Sequence, residues 1–173
     1  MDFDPTKDYY GMDMSIETNV VKWNYWEFIK NLVTLSSDSE SQKEIIGFGA
    51  VADEMAIDFD TYYTLQSKRY LEYDLLDIEL ISKLDQIDTF LENRGGEKMP
   101  DFWDDDLLDS HPDWKIVRIM SKEILRLMNF DDLKIEIERS IKKNQSSKGE
   151  PLVIEGTKTR LIKQTPANNG YKA

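Results

Sequence analysis

Between residues 20 and 33 (VVKWNYWEFIKNLV) the apolar side chains Val21, Tyr25, Ile29, Leu32 and Val33 return with the period of an α-helix, and Trp23, Trp26 and Phe28 widen the stripe. So broad an apolar surface predicts a helix covered on more than one side. The polar run SSDSESQ ends it. A second helix is predicted from Ser41, which stands three residues before Glu44 in the spacing of a capping box. From there Ile45, Phe48, Ala52, Met55, Phe59 and Tyr62 recur at alternating intervals of three and four. With Ile46 and Ile57 lying round the helix from that seam, the segment reads as the central helix, although Gly47 and Gly49 weaken its first turns.

Over 75–96 (LLDIELISKLDQIDTFLENRGG) Asp77 reads as an N-cap, Leu76 and Ile81 have the spacing of a hydrophobic staple, and Leu80, Leu84, Ile87 and Leu91 form the buried stripe. Gly95 stands where a helix end favours a left-handed residue. Over 114–128, Trp114, Val117, Ile124 and Met128 share one side, with Met120 and Leu127 alongside. Leu133, Ile137 and Ile141 place a last short helix over 129–143. The expected fold is therefore mainly α, an antiparallel bundle of about five helices. Residues 1–143 form the helical domain and 144–173 a C-terminal region that starts with the linker-like NQSSKGEP. In it, PLVIEGTKTRLIK is either a small β-hairpin turning at Glu155 and Gly156 or part of a flexible tail, and PANNGYKA reads as disordered.

Composition narrows the function classes. A chain of 173 residues with 40% hydrophobic side chains can bury a substantial core despite 32% charged residues. It has no cysteine, which excludes disulfides and thiolate metal sites, and a single histidine, His111, which excludes polyhistidine zinc sites. Acids replace the bases of a secretory signal in MDFDPTKDYY, and no apolar run approaches membrane-spanning length, so the cytoplasm is the expected location. The net charge of −12 is unevenly spread: residues 1–114 hold 27 acids and nine bases, net −18, and residues 115–173 hold seven acids and 13 bases, net +6. Such an acidic body repels nucleic acid and anionic membrane.

The densest chemistry lies in DFWDDDLLDSHPDW (101–114). A calcium loop is not satisfied, because position 108 is Leu and the required turn glycine is missing. Asp105, Asp106 and Asp109 spell DDLLD, which resembles the magnesium-diphosphate motif of all-α prenyl and terpene synthases, but the length and the second acidic motif of those enzymes are missing. Ser110, three residues before Asp113, reads as an N-cap followed by Pro112 in the first turn, which gives His111 a structural role rather than a catalytic one. Trp103 amid Asp101, Asp104, Asp105, Asp106 and, further on, Asp109 has the character of an aromatic anchor ringed by carboxylates. That combination suits a basic protein partner, with no cofactor and no catalytic residue.

A second reading rests on VADEMAIDFD, where Asp53 and Asp60 share one face of the helix and Glu54 and Asp58 another, joined by Glu72 or Glu79 from further along the chain. It resembles the carboxylate-rich helices of all-α nucleotide pyrophosphohydrolases, which implies magnesium as cofactor. Solvated acids flanking a packing seam give the same pattern.

GFGAVADEMAIDF (47–59) and FWDDDLLDSHPDWKIVRIM (102–120) together resemble, in general character over residues 48–128, bacterial immunity proteins that neutralise toxins made by their own cell. The resemblance implies a binding protein rather than an enzyme, with a cognate toxin, commonly a nuclease, encoded nearby. On that reading the acidic face masks the positive surface with which the toxin would hold phosphate.

Overall fold

The computed structural model describes residues 1–142 and 153–164. Six α-helices, α1 (Glu17–Ser36), α2 (Ser39–Ile46), α3 (Val51–Phe59), α4 (Ser67–Glu72), α5 (Ile78–Glu92) and α6 (Pro112–Leu127), precede two antiparallel strands, β1 (Leu133–Lys142) and β2 (Val153–Lys163). The fold is thus mainly α with a small C-terminal sheet. Among the described residues no helix is long and apolar enough to cross a membrane.

The central element is α1 rather than the segment after Ser41. Its stripe is continuous enough to pack against α3 and α6 and to meet the sheet, and Trp26, Phe28, Ile29, Leu32 and Leu35 are completely enclosed. The N-terminal residues lie over its first half. The Trp26 indole donates to the Pro5 carbonyl at 3.0 Å, Phe3 lies against Tyr9 and Tyr25, and Tyr10 meets Trp23 and Trp26 edge-on.

The helix predicted from Ser41 breaks in two. Gly47 (φ 83°) and Gly49 (φ 109°) adopt conformations closed to most residues, so the chain turns between α2 and α3 and Phe48 leaves the seam, 80% exposed. The α2 cap is Asp38, which accepts the Ser41 N–H at 2.8 Å, rather than Ser41. Beyond Phe59 the chain makes one π-helical turn, Asp60–Thr64, whose extra residue per turn puts Tyr63 instead of Tyr62 into the core after Ala52, Met55 and Phe59.

Asp77 caps α5 as expected, accepting from Leu80 N–H at 2.8 Å, and Leu84, Ile87 and Leu91 are buried. The left-handed glycine past α5 is Gly96 (φ 70°), while Gly95 is extended. The predicted helix over 129–143 is instead strand β1. Leu133, Ile135 and Ile137 alternate with Lys134, Glu136 and Glu138, a period of two that the spacing of Leu133, Ile137 and Ile141 equally allows. Its partner is β2, from Leu133 opposite Lys163 to Ser140 opposite Gly156, so 153–163 pairs with β1 instead of folding on itself at Glu155 and Gly156. Leu133 and Leu161 join the same core as α1. The NQSSKGEP linker and the PANNGYKA tail lie outside the described residues.

Arg118 on α6 is only 9% exposed. Its guanidinium donates to Ser37 O (3.0 Å), Gln42 Oε1 (3.0 Å) and Leu108 O (2.6 Å), and Gln42 in turn donates to Thr34 O and Leu35 O. These bonds satisfy carbonyls that the C-terminal end of α1 leaves open inside the protein. Arg118→Ala, which strands these acceptors, is expected to lower unfolding free energy by about 3 kcal/mol in urea denaturation, and Arg118→Lys to recover only part of it because an ammonium lacks the planar fork.

Candidate functional site

The 101–114 stretch is held by its apolar members. Phe102 and Trp114 are buried and stack with centroids 4.5 Å apart, and the Trp114 indole donates to Phe102 O at 2.6 Å. His111 is itself the N-cap of α6, in the place expected of Ser110: its Nδ1 accepts the Asp113 N–H at 3.1 Å, with Pro112 in the first turn. The carboxylates serve separate ends. Asp105 accepts Val51 N–H (2.8 Å) and Ala52 N–H (2.9 Å), capping α3, whose own cap residue, Ala50, has no acceptor side chain. Asp104 closes a local turn by accepting Asp106 N–H at 2.9 Å, and Asp109 accepts the Ser39 hydroxyl at 3.1 Å. Asp101 and Asp106 are exposed. The three acids of DDLLD therefore have three different environments.

Trp103 meets a different set of acids. Half-buried, with its indole N–H donating to Arg94 O at 2.6 Å, it walls a groove of about 370 Å³ between the end of α3 with the following π turn and the end of α5. Ala56, Phe59 and Leu91 supply the apolar part, and Asp60, Asp88 and Glu92 the charge. No basic side chain lines it. The nearby Arg94 guanidinium is bound 2.6 Å from Asp113 and lies 3.4 Å over the Phe90 ring. Thr64 donates to Asp88 at 2.9 Å and ties the π turn to α5. Asp60, Asp88 and Glu92 have no ion-pair partner among the described residues. Asp88 and Glu92 each follow a buried position, Ile87 and Leu91, by one, a pattern that local sequence shows only once the buried face is known.

The four carboxylates of the magnesium reading do not share one place. Asp53 is exposed, Asp60 lies in the Trp103 groove, and Glu54 and Asp58 line a separate cleft between α1, α3 and the sheet. Glu72 and Glu79 are exposed, and Glu72 stands 4.0 Å from Lys68. Among the described residues no three His, Cys, Asp or Glu side chains converge as ligands for one ion. Burial, then the neighbouring charges of Glu27 and Glu54, push the Asp58 carboxyl up to about 6, against the pull of Lys30. A larger cleft, about 840 Å³ between the end of α1, α2, α6 and β1, carries both signs: Lys115, Lys122 and Arg126 lie with Asp38, Glu44 and Asp131 along its walls.

The chain matches no family model, no curated protein and no solved structure, so similarity assigns neither family nor function.

Two stability measurements check these assignments. Asp105→Ala is expected to cost about 2 kcal/mol by removing two charge-assisted bonds at the start of α3, whereas Asp106→Asn changes stability by less than about 0.5 kcal/mol. For Asp58 the raised folded-state value means that the native protein binds its proton more tightly than the unfolded chain. Stability is therefore highest below the ordinary value of 3.8, falls as pH rises to about 6, and stays lowered above it. Asp58→Asn should raise stability at pH 7 by on the order of 1 kcal/mol, after discounting for partial solvent exposure, and leave it unchanged near pH 4.

Proposed function

We propose that this protein is an acidic protein-binding module that docks a basic partner, in the manner of an immunity protein masking the positive surface of a nuclease toxin. The observation that carries the reading is the Trp103 groove: an aromatic wall and an apolar floor, edged by Asp60, Asp88 and Glu92 with no base among its lining residues. Beyond the Thr64–Asp88 bond, helix stability does not account for this arrangement. Asp88 and Glu92 stand toward the C-terminal end of α5, where the helix dipole disfavours negative charge and a base is the stabilising choice, yet the last turn has none.

A basic side chain entering the groove would be desolvated against Trp103 while its charge meets three carboxylates, and the surrounding net charge of −12 would accelerate encounter over a long range. The same charge disfavours nucleic acid and anionic membrane as direct partners.

Co-expression with the product of each flanking gene, followed by calorimetric titration of any complex at low and high salt, tests the proposal. A salt-sensitive complex is expected, weakened about tenfold or more when Asp60, Asp88 and Glu92 are changed together to their amides, and similarly by Trp103→Ala. A complex indifferent to both changes would place the interface elsewhere and overturn this reading.

A further inference from the structure

The cleft between the end of α1, α2, α6 and β1 presents a row of cations that the fold leaves unpaired. Lys115, Arg118, Lys122 and Arg126 recur along α6 at intervals of three, four and four, which sets them on one face, and all four line the cleft together with Lys134 of β1. Like charges one turn apart destabilise a helix, and only Arg126 lies in the last turn, where the helix dipole favours a base. None of these five bases forms an ion pair among the described residues. The carboxylates on the same walls are Asp38, Glu44, Asp109 and Asp131, of which Asp38 accepts the Ser41 N–H and Asp109 the Ser39 hydroxyl. Arg118 is the enclosed member of the row, and a cation so buried ordinarily has a counter-ion. Its Nε and Nη2 are taken up by Ser37 O, Gln42 Oε1 and Leu108 O, all neutral, whereas Nη1 makes no hydrogen bond among the described residues and stays open to solvent.

From this geometry we infer that the cleft binds a phosphoryl group, with Arg118 Nη1 as the fixed donor and the exposed ammoniums of Lys115 and Lys122, about one turn to either side, as its counter-charges. The choice among anions follows from the donors. A carboxylate is best met by the two parallel N–H groups of a guanidinium edge, and with Nη1 alone free Arg118 presents no such fork. A tetrahedral phosphoryl group turns three oxygens in different directions, so it suits one N–H donor and separate lysines acting as point charges. The net charge of −12 opposes any anion at a distance, but charges beyond about 8 Å are largely screened at physiological ionic strength, and the cleft itself carries five bases against four acids.

The phosphoryl group could be free phosphate or the head of a small phosphorylated molecule, and the chemistry along α6 is the same for both. The rest of the cleft favours the second. Its volume of about 840 Å³ is that of a small-molecule site, and Val33, Leu125 and Leu133, with the half-buried Ile135 and Ile137, give it an apolar side on which a ring can lie. The inference does not depend on the Trp103 groove, which has its own lining residues on α3 and α5.

The test uses the full chain labelled for NMR at pH 7.5, where a phosphomonoester is mostly a dianion, titrated separately with inorganic phosphate and with adenosine monophosphate, and with adenosine as the control that lacks the phosphoryl group. Saturable binding of the phosphorylated probe is expected, with a shift of the Arg118 side-chain Nε–H and of the α6 amides around it. Affinity should fall about fivefold in Lys115→Gln and in Lys122→Gln, and stay unchanged in Lys68→Gln, an exposed base on α4 outside the cleft. Tighter binding of the nucleotide than of phosphate assigns the cleft to a phosphorylated small molecule; equal binding assigns it to free phosphate. Arg118→Ala is expected to weaken the fold, so the two exposed lysines, whose loss leaves the core intact, carry the test. No saturable binding of either phosphate probe, binding of adenosine as tight as that of the nucleotide, or an affinity that Lys115→Gln and Lys122→Gln lower no more than Lys68→Gln does would overturn the proposal.

Discussion

The end of α1 lies inside the protein, and the carbonyls it exposes there constrain everything around it. An α-helix leaves its last carbonyls without internal donors, and away from water those groups need partners. Gln42 and Arg118 supply them, one from α2 and one from α6. Burying Arg118 is costly in itself: desolvation lowers its affinity for the proton, and only the more distant Asp109 and Asp38 offset this. What the guanidinium achieves is connection. By also binding Leu108 O it fixes the loop before α6 against α1 and α2. With that loop fixed, Asp105 reaches the first N–H groups of α3 and the buried Phe102 holds the neighbouring Trp103 against the Arg94 carbonyl. The groove wall is thus set by a network on the far side of the same loop.

The two acidic recesses differ in physical character. The Trp103 groove gathers carboxylates that are mostly in contact with water, so the field they project is of long range and is screened by salt. The cleft beside Lys30 instead holds Asp58 partly buried, where desolvation and the charges of Glu27 and Glu54 raise its affinity for the proton. Asp58 is charged at neutral pH at a cost in stability. Both recesses border α3, one on each side, and α3 is itself anchored by Asp105.

How much of this was legible beforehand depended on the range of the interaction. The 3.6-residue stripe of α1, the Asp77 cap and the stripe of α5 are local patterns and were readable directly. The break at Gly47–Ala50 needed the knowledge that two glycines adopt positive φ, and the π turn that exchanges Tyr62 for Tyr63 leaves no periodic trace. For 129–143, Leu133, Ile137 and Ile141 satisfy helix and strand alike; only the intervening Ile135, and a partner strand some twenty residues away, decide for β. At the site, the prominence of Trp103 was readable but its companions were not. Six acids close in sequence are separated by a 3₁₀ turn and a helix cap, whereas Asp60, Asp88 and Glu92 come together only because Thr64 ties the π turn to α5. Similarly, the sequence offered Ser110 as a cap, and the backbone used the imidazole of the next residue instead.

In the proposed function, the groove between α3 and α5 is the docking surface. Hydrogen–deuterium exchange of the protein alone and in complex with the proposed basic partner tests this most directly, since backbone protection locates the interface without altering a side chain. Docking at the groove slows exchange over 56–64, 88–95 and 100–104, with little change along the cleft between α6 and β1. Protection concentrated at α6 and β1, with the Trp103 groove exchanging as in the free protein, would contradict it.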